Sequence, residues 1–183
     1  MERAEGAIQI FQRCCPREPH YTPFLKQARW LEGLGQTYGS LILGIVLNHW
    51  PQSEAMELDD FGGSRNVRSI AQLEEVLRAR FRDQQNEFSL TPDSDDYPLL
   101  WILVRGDLAA IYYIPGDRQA GYVSVGGKTN LNQKEMTTFP TGDLGETIDV
   151  LNRFIVPFSE ALEVAKEFFH SQQLPSSIKW LKL

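Results

Sequence analysis

Three histidines, two cysteines, one glycine-rich turn and two runs of carboxylates are the groups here whose types and spacing could do chemistry. His20, His49 and His170 lie far apart, and none is three or four residues from a second His or Cys, so no helical metal-binding pair is present. Cys14 and Cys15 are adjacent and followed by Pro16, in a stretch without sustained periodicity, and no nearby base would activate either thiol. Gly126-Gly127-Lys128-Thr129 imitates the end of a phosphate-binding loop. The full motif needs a glycine where Tyr122 stands, and Asn130-Leu131-Asn132-Gln133 is a poor start for the helix that would face the phosphate. There is no G-x-S-x-G elbow. The sequence therefore points to no catalytic residue, no metal ligand and no cofactor.

The carboxylates are the remaining signal. Glu54, Glu57, Asp59 and Asp60 form one cluster, and Asp93, Asp95 and Asp96 form another. Both fall in segments that read as loops. Two solvated loops would account for them, and so would a negative surface that steers and docks a basic partner. The whole chain of 183 residues has a formal net charge of −6. That balance, with no long cluster of Lys or Arg, disfavours nucleic acid and anionic membranes as partners.

Hydrophobic periodicity supplies the elements that must position these groups. Residues 1–39 read as an N-terminal extension, partly helical, with Thr22-Pro23 opening a helix. Residues 40–183 read as one α+β domain. Leu41 to Trp50 reads as a buried strand, and residues 52–66 as a loop. Ser69 and Gln72 have capping-box spacing, and Ile70, Leu73, Val76, Leu77 and Phe81 recur at helical spacing behind them. The period then changes. Glu87–Leu90, Leu99–Val104, Leu108–Ile114 and Ala120–Val125 read as strands, the last three forming a meander with turns at Arg105-Gly106-Asp107 and Pro115-Gly116-Asp117. Residues 126–145 show no clear pattern. Ile148–Val156 reads as a strand, Ser159 as the cap of a last helix with Ala161, Leu162, Ala165, Phe168 and Phe169 on its apolar stripe, and Ile178–Leu183 as a closing strand. The expected architecture is an antiparallel-dominated sheet with a central meander and two or three helices packed on it. The single adjacent cysteine pair, the missing signal-peptide pattern and the shortness of the longest apolar run, Leu41–Leu47, lead us to expect a cytoplasmic protein.

The order of the C-terminal segments carries a resemblance. Phe154-Ile155-Val156-Pro157, the helix Ser159 to Phe169, Leu174-Pro175 and Ile178-Lys179-Trp180 follow one another. Before them stand Leu100-Trp101-Ile102-Leu103-Val104, Ala110-Ile111-Tyr112-Tyr113 and Gly121-Tyr122-Val123-Ser124-Val125-Gly126-Gly127. This series resembles the first-numbered immunity protein family of bacterial polymorphic toxin systems, over about residues 98–183 and more weakly over 41–90. The resemblance implies a non-enzymatic cytoplasmic protein that binds a cognate toxin, often a nucleic-acid deaminase, and neutralises it by occluding its active or substrate-binding surface. The two acidic clusters are then the candidate toxin contacts. Two other readings stay open. A small-molecule-binding or regulatory module would show a closed apolar cavity, and an enzyme with a dispersed site would show a pocket holding paired titratable groups.

Overall fold

Alternation of apolar and polar side chains builds most of this architecture. In the computed structural model, strand β1 (Met56–Asp60) buries Met56 and Leu58 completely, while Glu57 and Asp59 between them face the other way and stay partly exposed. The structure describes residues 55–92, 95–126, 128–142 and 146–183. The helix expected after Thr22-Pro23 and the strand expected at Leu41–Trp50 lie outside them.

After β1 come β2 (Gly63–Val67), α1 (Ile70–Leu77), β3 (Gln85–Pro92), β4 (Leu99–Arg105), β5 (Leu108–Ile114), β6 (Tyr122–Val125), β7 (Met136–Thr141), β8 (Glu146–Leu151), β9 (Ile155–Pro157), α2 (Phe158–Ser171) and β10 (Lys179–Lys182). The main sheet runs β10-β6-β5-β4-β3-β1-β2, with β9 also paired to β5, and every pairing is antiparallel. The fold is α+β, as expected, and β4 and β5 pair from Leu99↔Ile114 to Arg105↔Leu108 around a two-residue turn. Gly106 in that turn has φ +58°, a conformation glycine adopts without strain.

One face of the sheet carries the core. Leu58, Phe88, Leu90, Leu100, Ile102 and Ile111 meet Leu73 and Leu77 of α1 and Leu162, Ala165, Phe168 and Phe169 of α2. Phe168 sets its ring edge-on to Tyr113 at 6.1 Å. Lys166 ties the helices together, with Nζ 2.6 Å from Glu74 and 2.8 Å from Glu163. The other face is partly covered by the β7–β8 hairpin. Phe139 of that hairpin is fully buried, and Arg105 donates to the Thr138 carbonyl at 3.0 Å.

Four local expectations are corrected. Residues 52–66 do not form one loop, because Met56, Leu58 and Val67 bury their side chains and turn much of the segment into the β1–β2 hairpin. The helix opened by Ser69, whose Oγ accepts the Gln72 N–H at 3.3 Å, ends at Leu77, short of Phe81. Arg80 closes it by donating to the Leu77 and Ala79 carbonyls while its guanidinium lies 4.1 Å from the Phe158 ring centroid, and Phe81 is left 43% exposed. The strand expected over Ile148–Val156 is broken by a 3-10 turn at Asn152–Phe154. The buried Asn152 side chain donates to the Asn132 carbonyl and accepts from Thr137 Oγ1, while its backbone N–H still donates to the Glu135 carbonyl, so the side chain anchors the turn where the strand leaves its ladder. Lastly, α2 starts at Phe158 without a Ser159 cap, because its Phe158 N–H is taken up by the Asp107 carbonyl at 2.8 Å.

Candidate partner-binding surface

The register between β1 and β3 decides where the carboxylates go. Met56 stands opposite Pro92, Glu57 opposite Thr91 and Asp59 opposite Ser89. The start of β1 thus lies beside the end of β3, from which the second acidic cluster continues. Two clusters far apart in sequence are drawn to one end of the sheet. The Asp95 N–H bonds back to the Pro92 carbonyl at 3.2 Å, and Asp95 and Asp96 are both exposed. Glu54 and Asp93 lie outside the described residues.

Strand alternation then separates the carboxylates by face. Glu57 and Asp59 stand on the face opposite the helices, in a row whose neighbours on β2 and β3 are Asn66, Ser64, Thr91 and Ser89. These flanking residues are small or uncharged. Asp59 accepts a hydrogen bond from the Ser64 hydroxyl. Neither Glu57, Asp59 nor Asp96 has an ion-pair partner among the described residues. Among the described residues, then, no cation neutralises these partly or fully exposed charges by direct pairing. Asp60 is different. It falls on the helix side, its side chain only 1% exposed, with Oδ1 accepting Gly62 N–H and Arg65 Nη2, both at 2.8 Å. That carboxylate holds the β1–β2 turn together and faces away from the open row.

Glu87 on β3 extends the row and was not among the residues singled out from sequence. Its Oε1 accepts the Trp101 indole N–H and its Oε2 accepts the Gly142 N–H, each at 2.5 Å. Burial pushes its pKa above the ordinary value, outweighing the two hydrogen bonds that favour the charged form, and Glu146 nearby adds to the rise. Trp101 lies against Tyr112 with ring centroids 5.1 Å apart. The available signal was the alternation Glu87-Phe88-Ser89-Leu90, which puts Glu87 on the face opposite buried Phe88.

The other candidates resolve into structural parts. Gly126 lets two strands approach, since a Cβ there would lie 1.9 Å from the Ile155 carbonyl oxygen. Lys128 pairs with Glu160 at 2.6 Å, and no helix follows Thr129. His170 sits on α2 against the Phe169 ring, while His20, His49, Cys14 and Cys15 are outside the described residues. Among the described residues no group of three or more His, Cys, Asp or Glu could hold a metal ion, and no helix is long and apolar enough to cross a membrane.

No family model matches the chain. A double-stranded DNA deaminase immunity protein of Burkholderia cenocepacia (strain H111) is 30% identical over 128 residues, covering 70% of this chain and 100% of the relative. Likeness over the relative's whole length, joined to the α+β fold, makes this chain a member of the deaminase-toxin immunity protein family.

Proposed function

We propose that this protein binds the deaminase toxin made beside it and neutralises it by covering the active or substrate-binding surface. The observation that carries the reading is the acidic row of Glu57 and Asp59 on β1, with exposed Asp95 and Asp96 following the neighbouring end of β3; Glu57, Asp59 and Asp96 have no ion-pair partner among the described residues. An enzyme that acts on nucleic acid must present positive charge to phosphates. An acidic face of a stable scaffold suits that groove, competes with the phosphate backbone and accelerates encounter by steering. Inhibition by occupation needs no chemistry from this chain, and it acts in the cytoplasm, where the toxin would otherwise meet the producer's own nucleic acid.

The test uses the purified deaminase domain encoded next to the gene. Mixing the two should give a stable complex and abolish deamination, with an on-rate that falls as salt rises. Failure to form a complex with that deaminase would overturn the proposal.

A further inference from the structure

Among the described residues the main sheet ends in two different edges. At one end β10 carries Lys179 and Lys182, both exposed, charges that discourage pairing with another strand. At the other end β2 lacks this guard. Gly63, Ser64, Arg65 and Asn66 are all exposed, and no described strand pairs with the outer side of β2. Its one cation, Arg65, is folded back 2.8 Å from Asp60 on the helix side of the sheet. On the opposite side Ser64 stands directly across from Asp59, and Asn66 from Glu57.

Resting on the function proposed above, we infer that β2 seats an added strand: an extended basic segment of the deaminase pairs with Gly63–Val67 along this edge. Neighbouring strands lie about 4.8 Å apart, so the added strand would run roughly 10 Å from β1. A Lys or Arg opposite Ser64 or Asn66 spans that gap over a short side chain and meets Asp59 or Glu57. Main-chain hydrogen bonds supply the affinity, and the two carboxylates at alternate positions select cations at alternate positions of the partner.

Hydrogen–deuterium exchange on the full chain, alone and saturated with the neighbour-encoded deaminase domain, tests this. Amides within Gly63–Val67 should exchange at least ten-fold more slowly in the complex, together with one extended segment of the deaminase. A complex that forms while these amides exchange as in the free chain overturns the added strand and leaves the proposed function standing. Protection already present in the free chain, whether from a second copy or from residues 1–52, overturns it equally. Absence of any complex removes both. As a second measure, Ser64→Lys with Asn66→Lys restores an edge guard at exposed positions. With an unchanged melting temperature, this double variant should dissociate at least ten-fold faster, and an unchanged dissociation rate would also overturn the inference.

Discussion

The buried Ser124 hydroxyl accepts the Ile111 N–H at 3.1 Å and donates to the Phe154 carbonyl at 2.6 Å. It stands where β5 changes partner, from β6 at Tyr112 and Tyr113 to β9 at Leu108 to Ala110. One side chain thus satisfies two backbone groups that the fork would leave unpaired. Ser124→Ala should cost about 1–3 kcal/mol, the penalty for orphaned buried groups. Urea denaturation would measure it, and a loss well under that range would mean that water or a shifted strand takes over the bonds.

Gly126 guards the same junction by being small. Any side chain there collides with backbone, which cannot swing aside as a side-chain tip can. Gly126→Ala should destabilise by at least ~2 kcal/mol, as overpacking against a fixed wall does. The denaturation midpoint reads this directly, and a neutral variant would show that β9 yields.

Phe169 lies on the buried stripe of α2, 5% exposed. Phe169→Ala should cost ~3–5 kcal/mol and lower the melting temperature sharply. Calorimetry decides, and an unaltered melt would put that residue outside the core.

Glu87 makes stability depend on pH. Its folded pKa is raised above the ordinary 4.5, so the native state holds this proton more tightly than the unfolded chain does. Its contribution is complete below the ordinary value and is lost as pH rises through the raised one. Glu87→Gln removes the titrating group, so the fall in melting temperature over that window should flatten. Parallel profiles for the two proteins would show that other groups set the slope.

Replacing Glu57 by Gln and Asp59 and Asp96 by Asn removes three outward charges at little cost in stability, within about 0.5 kcal/mol each. The on-rate for the neighbour-encoded deaminase should drop at low salt, and its salt dependence should flatten. Stopped-flow kinetics at two salt concentrations would show this. Equal on-rates would take the row out of the encounter.

The central sheet was legible because β4 and β5 are long apolar runs joined by a turn that Gly106 announces. The last helix was legible because Leu162, Ala165 and Phe169 recur at its period. β1 was missed, since two apolar residues among acidic ones look like loop until Met56 and Leu58 are seen to point one way. The break at Asn152 could not be read from sequence, because the groups that capture it, Asn132, Glu135 and Thr137, are brought there by tertiary structure. The carboxylates of the surface were visible as residue types. Their meeting depends on β1 pairing with β3 across α1, and the turn inward of Asp60 depends on strand phase, neither of which charge clustering encodes.

The two faces of β1 answer to different pressures. Met56 and Leu58 are fixed by the packing beneath them, whereas Glu57 and Asp59 can change with little effect on folding. On the contact proposed above, a lineage facing a drifting toxin would rewrite the outward positions one at a time, each variant still folded, while the inward ones would stay frozen. An arms race fought on this strand would leave its record in alternate codons.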